Sequence, residues 1–204
     1  MAKQTPAPKK SNNFQRIREL SYKQQGILAL TLIERMKPNY ELFAEVVEFP
    51  QEFNLDNMMD SLWQRLLVKG TKVSLSAMEE KVEALTPDEA DFDMYGVYPA
   101  IYFCTSLLTY ISGEMTEAEY DPVAIAKISQ GAIVHLIEYQ ADGEINNEAL
   151  REHELMQAEM ALLGELLDWL ETTPLKKLSQ KEVKEAALEL AFAEGVTNIG
   201  IAVE

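Results

Sequence analysis

The stretch YPAIYFCTSLLTYI, residues 98–111, contains no Asp, Glu, Lys or Arg. At helical pitch it makes about four turns, and a helix without a polar stripe has to be surrounded by other elements. Pro99 suits its first turn, because the N–H that proline lacks is one that a helix start leaves unpaired. Ahead of it, residues 86–97 are irregular and acidic, with Asp88, Glu89, Asp91 and Asp93. Gly96 stands at the junction, where a sharp turn calls for positive φ or for close backbone approach. The expectation is an all-α protein packed around this uncharged helix.

Outward from that segment the apolar spacing is helical almost throughout. Ser21 with Gln24 is a capping-box pattern, and Tyr22, Ile27, Leu30, Leu32, Ile33 and Met36 keep one helix amphipathic until Pro38 interrupts it. Asn39 then caps a short helix through Leu42, Phe43, Val46 and Val47. Asn54 opens another, whose Leu55, Met58, Met59, Leu62, Trp63, Leu66 and Leu67 recur at three and four residues until Gly70. Ser76 with Glu79 starts a helix that ends before Pro87. Asp121 and Pro122 cap a helix reaching Gln140, and Asp142 with Gly143 turns the chain into a long helix over about residues 147–171, the two forming an antiparallel hairpin. Ser179 with Glu182 caps a last helix, which Gly195 ends before a short apolar tail. The sum is about eight helices in one domain over residues 13–204. Residues 1–12 carry three lysines, two prolines and no acid, and are expected to form a disordered tail.

Composition narrows the function. The chain has 204 residues, 47% of them hydrophobic and 25% charged, which excludes intrinsic disorder and membrane spanning. With 18 Lys and Arg against 34 Asp and Glu the net charge is −16, so nucleic acid and anionic lipid would be repelled. A single cysteine and no apolar leader point to the cytoplasm. The nine glycines are dispersed, and neither a G-x-G-x-x-G run nor a Walker A loop occurs. Cys104, among Ile101, Phe103, Leu107 and Leu108, reads as a core residue and not as a nucleophile.

Metal is not expected either. His135 and His153 lie equally far in sequence from Glu144 and could meet across the hairpin, but no E-x-x-H spacing precedes them, and two solvated histidines is the simpler reading. The acidic run from Asp91 begins like a calcium loop and then offers Tyr95 and Tyr102 where carboxylates are needed. No cofactor is implied. One placement stands out: Glu152 and Glu159 share the apolar side of the long helix with Leu155, Leu162, Leu163 and Leu166. They read either as buried acids usable in catalysis or for a cation, or as partners of an arginine such as Arg35 or Arg65.

Several stretches together resemble one family. They are ERMKPNY (34–40) with Leu42 and Phe43, Leu62 and Trp63, Lys72 and Val73, DMYGVYPA (93–100), and NIGI (198–201). In order, and over nearly the whole chain from about residue 14, these resemble the YjaG-like bacterial proteins, a domain family of unknown function. The resemblance implies an all-helical fold in a cytoplasmic bacterial protein. It also implies, through gene-neighbourhood reasoning alone, a context of signalling beside histidine kinases.

Two functions follow as expectations. One is a non-enzymatic interaction module that binds a protein partner, or itself, through a helix face; nine methionines and an acidic exterior suit it. The other is a binder of a small polar ligand, or an enzyme, using a cleft where Arg35, Asn39, Tyr40, Asp93, Tyr95 and Tyr98 meet. A pocket with those side chains converging favours the second, and a broad apolar patch favours the first.

Overall fold

A computed structural model describes residues 12–50, 53–116, 121–141 and 145–203. Among them it forms nine α-helices and no strand: α1 (Asn13–Glu19), α2 (Tyr22–Val46), α3 (Leu55–Leu67), α4 (Leu75–Leu85), α5 (Val97–Met115), α6 (Pro122–Ala141), α7 (Asn147–Glu152), α8 (Glu154–Thr172) and α9 (Gln180–Ala191). No described helix is long and apolar enough to cross a membrane.

The tail over residues 1–11 lies outside the described residues, as does the turn at Asp142 and Gly143. Asn12 is described and belongs to the helical domain. Its side-chain oxygen accepts the Gln15 N–H at 2.8 Å and so caps α1, which buries Ile17. Asn12→Ala is expected to cost about 1 kcal/mol, as loss of a helix cap usually does. An unchanged thermal melt would show that α1 is frayed in solution.

The uncharged stretch 98–111 lies in α5, which carries one acid beyond it, Glu114, and whose Val97, Ala100, Phe103, Cys104, Leu107, Tyr110 and Ile111 are buried against α2, α4 and α6. Its partner α2 is enclosed further. Every residue from Gln25 to Met36 is buried, and α2 packs on α3, α5, α6, α8 and α9, so α2 and α5 together form the centre.

Pro38 does not end α2, contrary to the sequence reading. Proline inside a helix removes one hydrogen bond and costs about 3 kcal/mol. Beyond it, however, Tyr40 and Phe43 are 0% and 2% exposed, and each such side chain stabilises by about 1.5 to 3 kcal/mol when buried. Burial therefore outweighs the lost bond, and Asn39 lies within the helix and caps nothing. The capping boxes at Ser21 and Ser179 form as read. The one at Ser76 does not; α4 starts two residues earlier, from Ser74.

The long helix after the hairpin is in fact two. His153 takes an extended backbone (ψ 135°), ends α7, and accepts the Leu155 N–H on Nδ1 at 3.3 Å to begin α8. Glu152 and Glu159 consequently fall on different helices, Glu152 exposed on α7 and Glu159 buried on α8.

Gly96 has φ −55°, an ordinary helical value, so the expected positive φ is absent. A Cβ there would meet the flexible end of Met94 at 3.3 Å. Gly96→Ala should thus leave the urea midpoint nearly unchanged, within about 0.5 kcal/mol. A loss well beyond that would mean Met94 cannot move aside.

Positive φ occurs instead at Gly195 (67°) and Gly200 (82°), which turn the C-terminal segment back on itself. There the Thr197 N–H bonds the Ile201 carbonyl at 2.8 Å and the Val203 N–H bonds the Gly195 carbonyl at 2.9 Å. The segment is thereby a compact loop, with Thr197, Asn198 and Ile199 buried.

Candidate functional site

Helical register divides the ERMKPNY run into three faces. Met36 and Tyr40, with Phe43, point into the core. Tyr40 donates its hydroxyl to the Leu85 carbonyl at 3.3 Å, and its ring lies 5.4 Å from Phe103. Arg35 and Asn39 form a second face, within a buried polar network. Glu34, Lys37, Pro38 and Glu41 form the third, along an open cleft.

The network joins α2, α6, α8 and the C-terminal loop. Arg35 Nε lies 3.5 Å from Glu159 Oε2, with these side chains 6% and 2% exposed. Glu159 Oε1 accepts from the Ser129 hydroxyl at 2.6 Å. Arg35 also donates to the carbonyls of Ala191 and, at 2.8 Å, Val196. Asn39 donates to Asn198 Oδ1 at 2.9 Å, and Asn198 in turn donates to the Ser129 carbonyl at 3.2 Å and hydroxyl at 3.1 Å. Burial pushes the Glu159 carboxyl up, against the opposing pull of Ser129 and Arg35. Space beside Arg35 amounts to about 50 Å³, lined in part by Ala158, Ala161 and Leu190. That volume suits water and is too small for a metabolite.

The cleft is larger, about 300 Å³, and lies between α2, α3 and α9. At its wall Glu34 is only 7% exposed, and its Oε1 accepts the Trp63 indole N–H at 3.0 Å. Burial pushes the Glu34 carboxyl up, opposed by that bond and by the fields of Lys184 and Lys37. No Lys or Arg lies within ion-pair distance of it among the described residues. The cleft's two lysines are engaged elsewhere: Lys37 with Glu41 at 2.9 Å and with Asp56, Lys184 with Asp60. Burial works against the Lys37 charge, but its bonds to Asp56 and Glu41 prevail and its pKa is raised. Met59, Leu188, Phe192 and Val203 supply apolar walls.

The other residues singled out in the sequence lie elsewhere. Asp93 is exposed and joins neither group. Tyr95 and Tyr98 pack on His135, with ring centroids 5.6 and 4.4 Å away, and Tyr139 lies 4.6 Å from Tyr95. The Tyr95 hydroxyl and His135 Nδ1 are buried without a hydrogen-bond partner among the described residues. His135 is accordingly held among tyrosine rings and is not simply solvated, while His153 caps α8. The structure therefore brings Arg35 together with Asn39, and Tyr95 with Tyr98, but does not join the pairs. Burial pushes the Cys104 thiol up to about 12. Among the described residues no three His, Cys, Asp or Glu side chains converge as metal ligands would.

Glu34, Asp56, Asp60 and Lys184 were passed over in the sequence. Glu34, Lys37 and Glu41 do recur at three and seven residues, the spacing of one helix face, but a helix broken at Pro38 hides that face.

The fold and the cleft define a class: an all-helical single domain with a charged cleft beside its central helix. The profile of the family described as "Protein of unknown function (DUF416)" matches residues 12–202, and the chain belongs to that family. A crystal structure of a DUF416 family protein from Shewanella baltica OS155 is similar, with a TM-score of 0.85 and 34% identity over 95% of this chain and 100% of that one. An uncharacterized protein of Haemophilus influenzae is 31% identical over 198 residues, and the uncharacterized protein YjaG of Escherichia coli K12 is 30% identical over 187. Each of these two alignments covers 91% of this chain and 94% of the relative.

Proposed function

We propose that the protein is a non-enzymatic binding module whose recognition site is the cleft between α2, α3 and α9. The observation that carries this reading is Glu34, a residue only 7% exposed whose side chain lines a cleft of about 300 Å³ and, among the described residues, has no Lys or Arg within ion-pair distance. Burying a carboxylate without a counter-charge is costly, and the cost is tolerated where a ligand supplies the charge. Binding without turnover is supported by the placement of the reactive groups: Cys104 lies in the core, His153 caps a helix, and His135 is packed by tyrosines. The net charge of −16 favours a cytoplasmic role away from nucleic acid and lipid surfaces. A signalling context, implied by the family resemblance, suits a ligand sensor of this kind.

The test is native mass spectrometry of protein purified without a tag, beside Glu34→Gln. A small molecule bound to the wild type and lost from the variant supports the reading. A wild-type protein that carries no small molecule from the extract and takes up none when incubated with the dialysable pool overturns it. The variant itself should fold. Because burial raises the Glu34 carboxyl pKa, the native state holds that proton more tightly than the unfolded chain. This carboxyl therefore adds stability as pH falls towards 4.5 and subtracts it above the raised value. Glu34→Gln is expected to be at least as stable as the wild type at pH 7.5 by urea denaturation, and a clear loss would mean that Glu34 is ionised and held by an interaction a neutral amide cannot replace.

A second reading, a protein partner or self-association, is favoured by Leu42 and Val46. They are 43% and 59% exposed and lie one turn apart at the end of α2. If that face docks a protein, Val46→Glu abolishes affinity capture from cell extract and Glu34→Gln leaves it intact.

A further inference from the structure

We propose that the cleft takes an aliphatic diamine, with Glu34 as the counter-ion of its inner ammonium. The inference rests on the reading of the cleft as a binding site and adds the chemical class of the ligand.

Charge is the first argument. Glu34, Glu41, Asp56 and Asp60 line the cleft against Lys37 and Lys184 alone, which leaves two negative charges in excess. The lysines are already neutralised by Glu41, Asp56 and Asp60, so an anionic ligand would find no uncompensated positive charge there. Hydrogen bonding points the same way. Trp63 donates to Glu34 Oε1, and no side chain or backbone N–H among the described residues is seen donating to Oε2. Pro38 has no N–H, so the Glu34 carbonyl lacks the donor that a helix would supply four residues on. A carboxylate with an oxygen that no protein group serves suits a ligand rich in donors, and an ammonium carries three.

Shape supplies the rest. Met59, Leu188, Phe192 and Val203 offer apolar surface to a short methylene chain. Asp56 and Glu41, with side chains 68% and 42% exposed, stand where a second ammonium would meet solvent. A volume of about 300 Å³ is at the small end for ligand sites, which fits a chain of a few carbons.

Trp63 is a built-in reporter, since its indole N–H bonds the proposed counter-ion. The protein has two tryptophans. In a Trp169→Phe background, Trp63 fluorescence and calorimetry would follow titration with 1,4-diaminobutane at low salt, beside butylamine, 1,4-butanediol and succinate. The expected result is saturable binding of the diamine with a change in Trp63 emission, weaker binding of butylamine, and none of the diol or succinate. Glu34→Gln should weaken the diamine by at least about tenfold, because it removes the buried partner of a charge pair. Asp60→Asn, at the rim, should weaken it several-fold by freeing Lys184 to approach Glu34, and this variant keeps the test open if Glu34→Gln fails to fold. Lowering the pH should also release the diamine as Glu34 takes up its proton.

No binding of the diamine to the folded wild type overturns the proposal, and so does equal binding by a folded Glu34→Gln. If succinate or an amino acid binds instead, and depends on Glu34, the diamine is wrong while the cleft remains a recognition site. If no probe binds and nothing co-purifies, both fall.

Discussion

Glu159→Ala should lower the free energy of unfolding by about 3 to 5 kcal/mol, the usual cost of removing one partner from a buried ion pair. Domains of this kind have only about 5 to 15 kcal/mol of stability, so the loss would be plain in equilibrium urea denaturation. The reason is what remains behind. Without Glu159, Arg35, only 5% exposed, loses its buried counter-charge and keeps only the field of Glu194, and the Ser129 hydroxyl loses its acceptor. Arg35→Met should cost a similar amount, and it also strands the carbonyls of Ala191 and Val196. Joint replacement, Arg35→Met with Glu159→Leu, should cost clearly less than the sum, since no buried charge is left unpaired. Strict additivity would show that the two charges are screened by water and do not form a buried pair.

That pair marks how far the sequence could be read. The sequence offers Arg35 or Arg65 as the partner of a carboxylate on the apolar side of the helix after the hairpin, because an ionised group on such a face needs one. The periodicity could not separate Glu152 from Glu159. They are seven residues apart, and a continuous helix places them alike. The separation comes from His153, whose extended backbone starts a new helix, and no glycine or proline signals the break. Start signals read well wherever the side chain has a free N–H within reach: Asn54, Asp121 and Ser179 each accept the backbone N–H three residues on.

Pro38 failed as a signal for the opposite reason. Its local cost is real, but it competes with core burial of Tyr40 and Phe43 and with the tie from Asn39 to Asn198, none of which is visible in a short window. Misplacing that one boundary also misplaced the site. With a helix ending at residue 37, Asn39 reads as a cap at a helix start, and the expected cleft takes it together with Tyr95 and Tyr98. With a helix running to Val46, Glu34, Lys37 and Glu41 line up one above another, and the cleft opens on the other side, towards α3 and α9.

The C-terminal segment, read from composition as a short apolar tail, provides the other large expected effect. Asn198 is 2% exposed and makes three side-chain hydrogen bonds, one from Asn39 and two to Ser129. Asn198→Ala leaves the Asn39 amide as a buried donor without an acceptor, and the total loss should be about 2 to 3 kcal/mol by urea denaturation. Glu189→Ala, on the exposed side of α9, is the control and should stay within about 0.5 kcal/mol. Asn198→Asp tests the mechanism more sharply, because it keeps the shape and adds a carboxylate beside Ser129, which already serves Glu159. Buried there, the new acid would hold its proton more tightly in the folded state than in the unfolded chain. Its penalty should therefore be greatest at neutral pH and shrink as pH falls through the raised value towards the ordinary carboxylate range. Equal penalties for Asn198→Ala and Asn198→Asp at every pH would mean that the loop opens to water there. In that case the Arg35 and Glu159 pair alone, and not the whole network, fixes α2 against α8.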